Sequence, residues 1–118
     1  MAGVVQIPWY ANLFRGDKLA VALEEIAPVA LRYGATEYVV YRSDDDRYRF
    51  LHWSTFESKV DFERYWYGEE FNGWRADYAS WYQVPVVYGW FDLVVGGSLG
   101  GEPERMAGAP VEGGTGGI

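Results

Sequence analysis

Hydrophobic positions along this chain follow two periods, and the switches between them mark the elements. Residues 4–10 (VVQIPWY) are β-branched and aromatic, which predicts a strand. Pro8 has no N–H for a ladder and places that strand at an edge, a bulge or an end. Leu19, Ala22, Leu23, Ile26, Ala30 and Tyr33 then recur at helical spacing. Asp17 is the predicted N-cap of a helix starting at Lys18, Pro28 kinks or splits it, and Gly34 stops it. Residues 36–42 (TEYVVYR) and 48–56 (YRFLHWSTF) read as a β-hairpin around the turn cluster Ser43-Asp44-Asp45-Asp46. Ser58 opens a second helical stretch. Gly68, Asn72 and Gly73 weaken it, which predicts two short helices or one bent helix. Residues 84–95 (VPVVYGWFDLVV) are the predicted final strand.

The order β-α-β-β-α-β is an α+β, ferredoxin-like sandwich with both helices on one face of a four-stranded antiparallel sheet. Tyr48, Phe50, His52, Ser54 and Phe56 form one phase of the third strand, and Arg49, Leu51, Trp53 and Thr55 the other. In the last strand, Val86, Tyr88 and Trp90 alternate with Val87, Phe91 and Leu93. Large rings on both phases predict a sheet covered on both sides. One domain has no second cover to offer, so the expected solution is a homodimer with two sheets face to face.

Composition divides the 118 residues in two. All 22 aromatic residues lie between Trp9 and Phe91, and nine of the 15 glycines lie in 96–118. That second segment has no aromatic residue and little apolar area to offset ordering, so it is expected to be a flexible Gly-rich tail behind a domain of residues 1–95. The net charge is −7, and an acidic chain is a poor match for nucleic acid. There is no cysteine and one histidine. This excludes disulfides, thiolate metal sites and a His–His metal pair within the chain, and no metal or cofactor is expected. No apolar run approaches the roughly 18 residues of a membrane helix and no secretory signal is visible, so a cytoplasmic protein without membrane contact is expected.

The element order, the strand-to-helix junction FLHWSTFESK (50–59) and the spacing of Phe62, Tyr65 and Phe71 resemble the antibiotic-biosynthesis-monooxygenase-like proteins of the dimeric α/β-barrel superfamily. The resemblance covers about residues 4–95. It implies a barrel made by two protomers, each with a ligand cavity between its sheet and its helices. It also implies an activity class in which cofactor-independent oxygenation of aromatic polyketides stands beside haem degradation and cyclisation. The haem-degrading pattern places Asn, Trp and His where this chain has Trp9, Tyr65 and Arg75, which argues against haem. The oxygenase pattern uses Asn, Trp, Tyr and Arg, and those residue types occur here as Asn12, Trp66, Tyr67 and Arg75.

Three residues are candidates for chemistry. His52 titrates near neutrality and reads either as a general base or donor, or as a satisfied strand histidine. Arg75 reads either as a partner for a ligand oxyanion or as a surface ion-pair partner of Glu70 or Asp77. Asn12 completes the catalytic set. Tyr67, Phe71, Trp74, Tyr78 and Trp81 follow 4-3-4-3 spacing, which predicts one aromatic helical face, either core or the wall of a ring-stacking pocket. The expected ligand-binding residues are Trp53, Trp66, Tyr67, Phe71, Trp74 and Tyr78. The aspartates at 44–46 lack the rest of a calcium loop and read as a solvated turn. Two function classes follow. One is a monooxygenase-like enzyme acting on a small aromatic molecule. The other is a non-catalytic dimeric module that docks a protein partner through residues 96–118. A hollow between helices and sheet favours the first, and a solid core favours the second.

Overall fold

The computed structural model describes residues 2–100 and the backbone of residues 104 and 105. Its main sheet comprises β1 (Gly3–Tyr10), β2 (Ala35–Arg42), β3 (Arg49–Phe56) and β4 (Gly89–Phe91), antiparallel in the order β2-β3-β1-β4. That is the expected ferredoxin-like order. β1 pairs along its whole length with β3, with Ile7 opposite His52 and Trp9 opposite Phe50. The alternation holds: Val5, Ile7 and Trp9 of β1 and Phe50, His52, Ser54 and Phe56 of β3 are all buried.

The first helix, α1 (Gly16–Ile26), passes at Ala27 into a 3-10 segment that runs to Tyr33, so Pro28 does end the α-helix. Gly34 follows at φ +105°, a left-handed conformation that suits glycine. The predicted cap at Asp17 is corrected. The helix starts two residues earlier than expected, at Gly16, and Asp17 lies in its first turn, where it pairs with Arg42 at 2.9 Å. A Cβ at position 16 would stand 2.7 Å from the Arg42 guanidinium and 3.2 Å from the Arg47 carbonyl oxygen, so a larger residue there would displace the Arg42 side chain.

Ser58 caps α2 (Lys59–Trp66), its hydroxyl accepting from the Asp61 N–H at 3.3 Å. Gly68 then separates α2 from α3 (Glu69–Asp77), as its position predicts. A second correction concerns the final strand. Residues 84–95 keep only Gly89–Phe91 in the sheet. Pro85 has no ladder donor, and the backbone before Gly89 forms no strand. Val86, Tyr88 and Trp90 nevertheless pack against the core, while Val87 and Phe91 are exposed.

Val95–Gly96 forms a short ladder, β5, with β6 (Glu104–Arg105). The remainder of the predicted tail, residues 101–103 and 106–118, lies outside the described residues. Among the described residues no helix is long and apolar enough to cross a membrane.

Candidate functional site

The inward side chain of Trp9 is the centre of the helix–sheet interior. The Trp74 and Tyr82 rings meet it edge-on at 5.3 and 5.1 Å, and Phe71 and Trp66 lie 6.2 and 6.3 Å away. The five rings come from four places in the chain: Trp9 from β1, Trp66 from the end of α2, Phe71 and Trp74 from α3, and Tyr82 from the segment after α3. Edge-on pairs bring the positive rim of one ring to the negative face of the next, which fixes their mutual angles. Backbone carbonyls occupy the polar tips of Trp74 and Tyr65. Trp74 Nε1 donates to Ala22 O at 2.9 Å, and the Tyr65 hydroxyl donates to Ile26 O at 2.7 Å.

Two cationic or titratable groups stand in this aromatic box. Trp9 Nε1 donates to His52 Nδ1 at 3.3 Å, and the His52 ring lies 6.4 Å from Phe71. His52 is fully buried, and desolvation pulls its pKa from 6.5 down to about 4, so the ring is neutral at pH 7. Arg75 lays its guanidinium over the Trp66 face, with Cζ 3.9 Å from the centroid, and over Phe71 at 5.0 Å. Burial lowers its pKa, and the neighbouring Tyr82, Tyr67 and Tyr65 oppose that shift; an arginine stays charged throughout. Arg75 Nη2 donates to Asn72 Oδ1 at 2.6 Å, whereas Nη1 is buried without a partner. The surface ion-pair reading of Arg75 therefore fails, and Glu70 pairs with Arg32 instead, at 2.7 Å.

The structure thus gathers His52, Trp66, Phe71 and Trp74 around Trp9, with Arg75 laid over Trp66 and Phe71. It separates the other candidates from them. Asn12 Nδ2 donates to Ser80 O at 2.8 Å and Tyr82 O at 3.2 Å, clamping the loop after β1 to the segment after α3. Trp53 lies on the other face of the sheet, 6.3 Å from Phe91. Tyr67 is 62% exposed, and Tyr78 stands at the rim, its ring edge-on to Trp74 at 5.3 Å and its hydroxyl donating to Glu25 at 3.1 Å. The single aromatic stripe is therefore corrected: α3 carries Phe71 and Trp74 alone, because the helix breaks at Gly68 and ends at Asp77. Trp66, outside that stripe, is buried instead.

Trp9 and Ser54 are not among the candidates that the sequence offers for the site, although both lie on the inward phase of their strands. Tyr82 had no local signal, since an isolated bridge between Ala11 and Tyr82 is what brings it in.

The rings fill the interior. The clefts of the described residues lie elsewhere. One of about 450 Å³ runs between α1 and β2 beside Leu23, Val40 and Phe50, and one of about 520 Å³ lies against Val21, Tyr78 and Trp81. Neither is lined by His52, Asn12 or Arg75. No group of three or more His, Asp or Glu suited to a metal ion occurs among the described residues.

The neutrality of His52 has a measurable consequence. The unfolded chain takes up a proton near pH 6.5 and the native chain only near pH 4. The unfolded state therefore binds more protons between those values, and stability falls as the pH is lowered through that window. Urea unfolding should lose about 3 kcal/mol from this group across the window, by the conversion of about 1.4 kcal/mol per pKa unit. H52L should lack this part of the acid sensitivity. Equal pH profiles for the two proteins would mean that His52 is not held neutral in the native state.

No family model and no curated protein matches the chain. Solved structures do share its fold. One named as an antibiotic biosynthesis monooxygenase is 12% identical over 80% of this chain and 99% of its own, with a TM-score of 0.69. SnoaB, a cofactor-independent oxygenase from Streptomyces nogalater, is 11% identical over 76% of this chain and 90% of its own, at 0.66. Rv0793 from Mycobacterium tuberculosis is 14% identical over 77% and 93%, at 0.67. Identities this low establish the fold, which is the one the sequence resemblance implies.

Proposed function

We propose that the protein is a monooxygenase-like enzyme that takes a small, flat aromatic molecule into the box around Trp9 and oxidises it with dioxygen without a cofactor. The observation that carries this reading is the pair of buried, unpartnered nitrogens, Arg75 Nη1 and His52 Nε2, inside a ring of stacking side chains. Buried polar groups are nearly always satisfied in native proteins, and an exception calls for a partner that the chain itself does not supply. An oxyanion on a flat ring fits both features: the ring stacks on Trp66 and Phe71, and the anion meets the guanidinium. Binding would require the rings to part, since they now touch. The shared fold with SnoaB supports the same reading.

Anthrone is a suitable probe. Its methylene carbon becomes a carbonyl. One oxygen atom of O₂ enters the product, and the other leaves as water with the two methylene hydrogens. Oxygen uptake should exceed autoxidation in buffer, and R75A should lower it by at least about tenfold, the scale of one lost anion-stabilising group. Wild-type rates in R75A would remove Arg75 from the reaction.

A second reading, a non-catalytic binding or assembly module, is favoured by the solid interior. Absence of uptake with a full set of quinol-like substrates would select it. In that reading residues 96–118 dock a protein partner, and deleting them should abolish capture.

In both readings a second copy of the chain covers the free sheet face. Val39, Tyr41, Leu51, Trp53 and Phe91 line a shallow groove of about 690 Å³ there. Tyr41 and Phe91 are exposed in that groove, and contiguous exposed apolar surface of this kind marks interaction sites.

A further inference from the structure

The aromatic box does not account for one polar pair. His52 and Ser54 lie two residues apart on the inward phase of β3, both fully buried. The imidazole is held by one edge, where the Trp9 indole reaches Nδ1. An indole N–H can donate but never accept, so Nδ1 must be the acceptor. The one proton of a neutral imidazole then sits on Nε2. Burial keeps the ring in that neutral form. Nε2 and the Ser54 hydroxyl are left without partners among the described residues. In an otherwise apolar core such groups are costly, and hydrophobic residues of similar shape would serve packing better.

We propose that Trp9 is a positioning residue that fixes His52 as an Nε2–H donor, and that His52 and Ser54 together form a donor site for a carbonyl or phenolate oxygen on a flat-ring ligand. The ligand half of this proposal rests on the reading given under Proposed function. It decides between the general base and the donor that the sequence offers for His52. A general base needs a free nitrogen, but Nε2 already carries a proton and Nδ1 is covered by the indole. His52 therefore holds charge on the ligand oxygen and does not remove a proton, and Arg75 supplies the countercharge from the α3 side.

The chain has a single histidine, so long-range ¹H–¹⁵N correlation spectra of the full-length protein report on His52 without ambiguity. Wild type should show a protonated Nε2 and a bare Nδ1 throughout about pH 5 to 8. W9F should show mixed tautomers. A protonated Nδ1 in wild type, or an unchanged tautomer in a folded W9F, overturns the assignment of Trp9. If W9F does not fold, the wild-type spectrum alone decides.

The donor role is tested with H52Q and H52L. A glutamine amide places a donor near the Nε2 position but cannot act as a base. With anthrone, H52Q should stay within about threefold of wild-type oxygen uptake and H52L should fall by about tenfold, the effect of one hydrogen bond to a charged oxygen. Equal loss in both variants overturns the donor role. Failure of wild type to oxidise anthrone counts against the oxygenase reading alone. Failure of anthrone to shift the Nε2–H resonance overturns the donor site itself.

Discussion

Replacing Trp9 by alanine should lower the unfolding free energy by about 3–5 kcal/mol, the range for removing a large buried aromatic side chain. Trp9 is fully buried and meets four other rings. The substitution also strips His52 Nδ1 of its donor, and a buried acceptor left bare adds about 1–3 kcal/mol to the cost when the cavity stays dry. Domains have only about 5–15 kcal/mol in total, so W9A should be near the edge of folding at room temperature. W9F separates the two contributions. It keeps a ring in the site and loses the hydrogen bond, and should cost less than W9A. Urea midpoints of the three proteins are the measurement. A loss below about 1 kcal/mol in W9A, ordinary for surface positions, would show that the interior does not hang on this ring.

Wild-type protein should sediment at twice its 13.4 kDa chain mass, and W53K should sediment as a folded monomer. Trp53 lies on the free face of the sheet, beside Phe91 and in the groove with Val39, Tyr41 and Leu51. A tryptophan at the centre of an apolar interface is the residue type most often found to dominate binding. A lysine in its place puts a charge opposite its own symmetry mate, which must be desolvated without a partner. The expected loss is at least about 3 kcal/mol, or roughly a hundredfold in dissociation constant. Far-ultraviolet circular dichroism should be unchanged, because Trp53 contributes nothing to the helix–sheet core. A wild type that remains monomeric at high concentration would remove the dimer, and with it the explanation for the exposed rings of this face.

The two substitutions probe opposite phases of neighbouring strands, and those phases were legible in the sequence. A period of two marks His52 and Ser54 as sharing one face and Trp53 as lying on the other. The structure buries the first pair completely and leaves Trp53 partly exposed. The break at Gly68 and the end of the first helix before Pro28 were legible for the same kind of reason, since each depends on a local conformational preference. The extent of the last strand was not. Its composition is that of a strand throughout, yet pairing is available only where β1 offers Val4, Val5 and Gln6. The aromatic spacing from Tyr67 to Trp81 misled because it presumes one unbroken helix, and the chain there changes direction at Gly68 and again after Asp77.

The order of elements, the helix breaks and the side of the sheet on which each strand residue stands are written in the local sequence. All three follow from backbone preferences and periodicity, which act over a few residues. The tertiary structure alone decided that Trp9 meets His52 across 43 residues, that Arg75 lies over Trp66 instead of pairing with an acid, and that Asn12 is spent on holding a loop. Periodicity says which side chains enter the interior. Which of them touch depends on strand register, helix placement and the competition among rings for the same space, and those are properties of the packed molecule.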